Sequence, residues 1–235
     1  NLEDISMRTL RILGEVDFIL CEDVIAIQNF LDHYRIKTPA LSYYKYSEKI
    51  DYILNLLKNG KKLALVSDTG MPAPSEIGGK LSQAVKEKFG DGVYIEFVLG
   101  PSAVMAALSI SGIPTDKFIF MGFPPHKEGR QTFIRKILES EWPVMVYESR
   151  HGIIKFLEEI NAAVETQYLA SQKSKEMQNI SSKTQSIASL QSVVVCRELS
   201  KMHETVYRGD INSIIEKIKN NKDDQKGEFV VIIGK

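Results

Sequence analysis

The stretch that decides the fold class is Lys62-Leu63-Ala64-Leu65-Val66, followed directly by Ser67-Asp68-Thr69-Gly70-Met71-Pro72-Ala73-Pro74. Its first part is a short apolar run with polar neighbours, which predicts a buried strand. A loop rich in glycine and proline follows, and a helical apolar period resumes to about Phe89. Working upstream, Asp17 to Cys21 reads as a second short strand. An amphipathic helix over Leu2 to Leu13, which Asp4 or Ser6 can cap, precedes it, and a helix from Val24 to Tyr34 follows. An extended link around Ala40 to Ser42 and a helix over Glu48 to Lys58 then lead back to Lys62. Downstream, Val93 to Val98 predicts a strand, and a helix over Ser102 to Ser111 opens directly after Gly100-Pro101.

Strand–loop–helix repetition of this kind predicts an α/β layered fold with a mainly parallel sheet. Ile113-Pro114-Thr115 interrupts the pattern, so the expected domains are 1–113 and 114–235. In the second, strands are expected at Phe118 to Met121, Val144 to Tyr147, Thr205 to Arg208, Val193 to Cys196 and Phe229 to Ile233. Helices are expected over Arg130 to Leu138, Ile153 to Ile160 and Ile211 to Lys219. Ala162 to Gln191 is rich in Ser, Gln, Lys and Asn without a sustained period, and reads as a mobile or weakly helical insertion.

Bulk properties narrow the function. The chain has 235 residues, and its 30 Lys+Arg balance 30 Asp+Glu, which argues against a generic DNA-coating protein. A structured RNA docked by a local patch stays open, with His126, Lys127, Arg130, Arg135 and Lys136 as the patch. No apolar run approaches the roughly 18–20 residues that span a bilayer, and no leader pattern is present, so no membrane partner is expected. Cys21 and Cys196 are too few for a disulfide framework or a zinc site, and a reduced cytoplasm is the expected setting. His33, His126, His151 and His203 are too scattered for metal-ligand spacing, so no metal is expected. Phosphate-binding loops, nucleophile elbows and dinucleotide glycine motifs are absent from the sequence as well.

The informative positions are the loops at the carboxyl ends of the expected strands, where open parallel sheets bind ligands. These are Glu22-Asp23, Ser67 to Pro72, Gly100-Pro101-Ser102-Ala103, Gly122-Phe123-Pro124-Pro125 and Glu148-Ser149. Taken singly, each is ordinary turn chemistry. Together, five successive ends bearing small, acidic or hydroxyl residues point to a binding cleft, since glycine admits close backbone approach and proline stiffens the loop around it.

An ordered set of motifs adds a second line. Asn1-Leu2-Glu3-Asp4-Ile5, Cys21-Glu22-Asp23, Ser67 to Pro72, Gly100 to Ala103, Gly112 to Asp116, Gly122-Phe123-Pro124, Tyr147-Glu148-Ser149, Arg197-Glu198-Leu199 and Lys226 to Phe229 follow one another in the chain. In this order they resemble the methyltransferase I family of the tetrapyrrole methylase superfamily, over nearly all of the chain except about Ala162 to Gln191. The resemblance implies two α/β domains of the class III methyltransferase type with S-adenosylmethionine in a cleft between them, and a homodimer. It further implies 2′-O-methylation of a cytidine ribose in small-subunit (16S) ribosomal RNA. The cofactor-facing residues it implies are Ser67, Asp68, Thr69, Gly70, Pro72, Gly100, Ser102, Ala103, Met121, Gly122, Phe123, Tyr147, Glu148 and Ser149. Glu22 and Asp23 are the expected groups for binding and deprotonating the ribose hydroxyl, with Glu198 the second choice.

Several positions depart from the family pattern. The family continues Cys-Glu-Asp with Thr-Arg, where this chain has Val24-Ile25, and Pro-His-Arg after Tyr-Glu-Ser becomes Arg150-His151-Gly152. Its pattern also starts one strand and a Thr-Pro-Ile-Gly turn ahead of Asn1. Two other readings stand beside the first. One is a methyltransferase of the same class acting on a tetrapyrrole or diphthamide precursor. The other is a non-catalytic ribosome-binding relative.

Overall fold

The computed structural model describes residues 1–43, 50–67, 70, 77–177 and 192–234. Contacts divide the chain into two compact units, Asn1–Ser102 and Ala103–Lys235.

In the first unit, a 3-10 turn at Leu2–Asp4 precedes α1 (Met7–Glu15). The helix expected from Leu2 is split there, because Ile5 is extended and Ser6 caps the true start, its Oγ accepting from the Thr9 amide. Then follow β1 (Phe18–Cys21), α2 (Val24–His33), β2 (Ala40–Ser42), α3 (Ile50–Lys58), β3 (Leu63–Leu65) and α4 (Ile77–Phe89). The three strands form a parallel sheet in the order β2-β1-β3. Central β1 is buried on both faces. Leu20 packs with Ile53, Leu54, Leu81 and Val85 on one face, and Ile19 and Cys21 pack with Leu13, Ile27 and Leu31 on the other. That two-sided burial is why β1 reads as a continuous apolar run rather than an alternating one.

The strand expected at Val93 to Val98 is not formed: the segment follows a 3-10 turn at Gly90–Gly92 and carries no strand pairing. Tyr94 is 86% exposed and Phe97 68%. Apolar composition marks a segment able to join a sheet, but a strand exists only where a neighbour completes its ladder. Among the described residues no neighbour does.

The second unit opens with α5 (Ala103–Ser111) and β4 (Ile119–Phe120), then α6 (Arg130–Glu139), β5 (Val144–Ser149) and α7 (Ile153–Met177). It closes with β6 (Val193–Arg197), β7 (Thr205–Gly209), α8 (Ile211–Asn220) and β8 (Glu228–Ile233). The sheet order is β4-β5-β8-β6-β7. Only β4 and β5 pair in parallel; β8 enters between β5 and β6 antiparallel to both, and β6 and β7 form an antiparallel pair. The mainly parallel arrangement expected from the sequence therefore holds for the first sheet and not for the second.

α5, which the sequence pattern groups with the first half, packs on the second sheet. Val104, Ala107 and Leu108 lie against Met145, Val194, Val230 and Ile232. A helix as apolar as Ala103–Ser111 needs an apolar sheet face, and this is the one it meets. On the opposite face Phe156, Leu157, Ile160, Ile214 and Ile218 cover Val144, Val146, Val195 and Val231.

α7 also corrects an expectation. It runs 25 residues, well past Ile160 into the stretch read as an insertion. Ala, Glu, Gln and Lys favour helix without an apolar stripe, and Asn161 ties the helix to Asn212 at 3.0 Å. The remainder of that stretch, 178–191, lies outside the described residues.

Candidate functional site

In the first unit, β1 and β3 run side by side with Leu20 opposite Leu65, so the residues just past their ends meet. There the Ser67 hydroxyl donates to Glu22 Oε1 at 3.0 Å. Asp23, one residue on, is taken up differently. Its Oδ1 accepts from the Ile25 and Ala26 amides at 2.7 and 3.4 Å, capping α2. The adjacent carboxylates thus separate into a helix cap and a group facing the strand-end loop.

Ser67 and Gly70 form an isolated antiparallel bridge. Gly70 has φ +112°, and a Cβ there would lie 2.8 Å from the Pro101 carbonyl oxygen. Only glycine lets the segment after β3 approach the one before α5 so closely. Asp68, Thr69 and Pro72 lie outside the described residues. Gly100 is exposed, and Ser102 and Ala103 are half-buried at the start of α5.

In the second unit, the β4–β5 ladder continues past the strands. The Met121 amide donates to the Met145 carbonyl, and the Tyr147 amide to the Gly122 carbonyl, both at 2.9 Å. Gly122 sits at φ +66° with open space where a side chain would be. Phe123 is 55% exposed, its ring 5.4 Å from that of Tyr147, which in turn meets Phe120 edge-on at 4.8 Å. Burial raises the Tyr147 phenol above its ordinary value, opposed by the Val104 amide beside it and reinforced by Glu228. The phenol stays a neutral hydroxyl next to the first turn of α5.

Glu148 and Glu198 are both taken up by the fold. Glu148 is buried and accepts from the Ser149 amide at 2.7 Å, tucked against Gly152 where a Cβ would collide with it. Glu198 has φ +50° and accepts from the Glu228 amide at 2.8 Å and from Lys201 Nζ at 3.0 Å. Lys201 also reaches Glu228 at 2.8 Å, so one ammonium joins two carboxylates. Burial alone would raise the Glu198 carboxyl, but the Glu228 amide and Lys201 outweigh it and hold it below its ordinary value. A carboxylate stabilised in this way is a weak base.

Two arginines matter here whose burial the sequence pattern does not reveal. Arg197 is buried and donates to the carbonyls of Lys226, His203 and Asp223 at 2.7, 2.8 and 2.6 Å. It pins the β6–β7 turn to the loop before β8. Arg130, grouped by sequence with a basic surface patch, is instead buried against Glu159 at 2.6 Å. Nothing local marks either residue as internal. Among the described residues, no group of three His, Cys, Asp or Glu could hold a metal ion, and no helix is long and apolar enough to cross a membrane.

Comparison with known proteins follows the same lines. A curated relative from Thermotoga maritima, named ribosomal RNA small subunit methyltransferase I, is 34% identical over 99% of this chain and 93% of its own. One of the same name from Hydrogenobaculum sp. is 37% identical over 100% of this chain and 91% of its own. Among solved structures, a cobalamin biosynthetic enzyme, cobalt precorrin-4 methyltransferase, matches with TM-score 0.63 over 100% of this chain and 90% of that one. At 17% identity, that likeness is one of fold. The model of the tetrapyrrole (corrin/porphyrin) methylases matches residues 1–215. The motif order read from the sequence and the mixed α/β architecture agree with these matches: the chain belongs to the tetrapyrrole methylase family.

Proposed function

We propose that this chain is an S-adenosylmethionine-dependent methyltransferase that modifies the ribose 2′-hydroxyl of a cytidine in small-subunit (16S) ribosomal RNA. The observation that carries the reading is the Glu22–Ser67 contact at 3.0 Å; among the described residues this strand-end carboxylate caps no helix and joins no ion pair. The names of the relatives supply the RNA class.

The residues present suit the methyl donor. The exposed Phe123 ring offers a flat apolar surface, Gly122 leaves its backbone open, and the Tyr147 hydroxyl stays neutral beside Val104. Bound S-adenosylmethionine would supply a methyl group on a sulfonium, whose sulfur leaves as a neutral thioether. The work of the chain is alignment, which lowers a barrier by several kcal/mol through pre-set orientation. Glu22 would accept the proton of the ribose hydroxyl as its oxygen bonds to the methyl carbon, with Ser67 holding the carboxylate in place. A positioned base of this kind contributes about 10²–10⁴-fold. Asp23 supports the start of α2 in this reading, and Glu198 holds the start of β8. We further propose that the chain works as a homodimer in the cytoplasm, the first of which sedimentation equilibrium tests.

Incubating the chain with labelled S-adenosylmethionine and unmethylated small subunits tests the function. Label on a cytidine ribose is expected. Label on a base, or transfer to a tetrapyrrole in preference to RNA, refutes it. One observation favours a second reading: Ile25 is 77% exposed where the family pattern has arginine. Donor binding without transfer would identify a ribosome-binding relative that has lost its chemistry.

A further inference from the structure

Between β4 and α6 the chain makes a loop, Gly122 to Gly129, bounded by two positive-φ glycines at +66° and +78°. A Cβ at either would meet nothing within 4 Å, so these glycines serve backbone conformation rather than packing. Inside the loop, Phe123 rests on Tyr147 and Pro124-Pro125 stiffen the segment beside it.

Arg130 holds this loop from within the unit. Its Nη1 donates to the Pro125 carbonyl at 3.1 Å, and its Nε donates to Glu159 Oε2 on α7 at 2.6 Å. The guanidinium lies over the Phe156 ring, 6.0 Å from its centroid. Its Nη2 is buried with no hydrogen-bond partner among the described residues. A buried cation with an unmatched donor is costly, and an apolar side chain of similar size would pack there at lower cost. What only a planar guanidinium offers is two donors on one rigid fork, one fixed on α7 and one on the loop.

We infer that Arg130 is a positioning residue, latching the Pro125 carbonyl and so setting where Phe123 stands. The inference rests on the reading of Phe123 as part of the methyl-donor site. Lysine, a single point charge on a flexible stem, cannot hold both acceptors with this geometry.

The test uses the whole chain, with amide hydrogen exchange measured without cofactor and S-adenosylhomocysteine affinity measured by calorimetry. Arg130→Lys is expected to speed exchange at Phe123 and His126 and to weaken S-adenosylhomocysteine on the order of tenfold. Glu159→Gln, which keeps an acceptor for Nε, should leave loop exchange close to that of the unsubstituted chain. In a Phe123→Ala background, Arg130→Lys should cost no further affinity, because a residue that acts through another is not additive with it. If Arg130→Lys does not fold, Pro125→Gly loosens the same segment with Arg130 intact and should speed exchange at Phe123. Unchanged loop exchange in Arg130→Lys or in Pro125→Gly overturns the latch, and additive losses in the double variant overturn its action through Phe123. Faster exchange in a chain that binds no S-adenosylhomocysteine overturns the donor-site reading, and the positioning role with it.

Discussion

At the end of β6, Arg197 is 5% exposed and donates to three backbone carbonyls while pairing with Asp224 at 3.7 Å. At the end of β1, half-buried Glu22 meets the Ser67 hydroxyl at 3.0 Å. The difference follows from the sheets behind them. β5, β6 and β8 are buried along nearly their whole length, whereas β2 and β3 flank β1 as half-buried edges. A charged group beside the buried sheet must be matched within the protein or it destabilises the fold. A carboxylate at the more open end needs less internal pairing, which is what the proposed role of Glu22 requires. Changes at the buried Arg197 cluster should therefore register as stability, and changes at the first unit's strand end as chemistry.

The sharpest way to break this contrast is Glu22→Gln. Methyl transfer should fall about 10²–10⁴-fold, while stability changes by less than about 0.5 kcal/mol. A variant that keeps its rate would remove Glu22 from the reaction. Next in size is Arg197→Leu, expected to cost about 3–5 kcal/mol because it leaves Asp224 and three carbonyls without their partner. The shift in urea midpoint measures it, and a shift equivalent to less than about 1 kcal/mol would mean that the second unit's framework does not depend on the buried arginine.

Smaller effects sharpen the contrast. Val24→Thr with Ile25→Arg adds a hydroxyl and a guanidinium beside Glu22. Methyl transfer to ribosomal RNA should rise about tenfold to a hundredfold, by the worth of one charge-assisted contact, with S-adenosylhomocysteine affinity unchanged. Equal rates before and after would show that these positions do not limit transfer. Asp23→Ala should cost about 1 kcal/mol of stability by removing the α2 cap, with a smaller fall in rate than Glu22→Gln. A larger fall would exchange the roles of the two carboxylates.

The smallest effect is a pH window at the start of β8. Glu198 is held below its ordinary 4.5, chiefly by the Glu228 amide and Lys201 acting against its burial. Its stabilisation is present above the unfolded value and is lost as pH falls through the folded one. Lys201 is subject to burial, which lowers it, but Glu228 and Glu198 raise it above 10.5. Its contribution is present below that value and is lost as pH rises through the folded one. The Glu228 amide chemical shift should therefore stay constant from about pH 5 to pH 10 and move outside that range. Movement near neutral pH would show that another group controls this contact.

Much of the architecture is legible residue by residue. The Lys62 to Val66 run announces a strand, and β3 stands there. Ser6 was one of two residues able to cap α1, and it does. Val93 to Val98 looked as much like a strand as Phe18 to Cys21, yet only the latter has neighbours on both sides. The strand at Phe229 to Ile233 was expected, but its antiparallel direction was not, since an apolar run does not encode the direction of its partner.

Apolar period, capping residues and glycine-proline loops act over a few neighbours, so they set element type, order and the family-wide motif sequence before any folding is considered. Hydrogen-bond partners and burial depend on residues far away in the chain. Glu22, Asp23 and Glu198 are alike as carboxylates in a list of residues. Only the folded chain makes one a helix cap, leaves one facing Ser67, and ties one to Lys201 and the Glu228 amide. Arg130 likewise turned from surface charge to internal latch because α6 and α7 bring Glu159 within 2.6 Å of it. Desolvation and pairing are set by that packing, and they decide which charges remain available for chemistry.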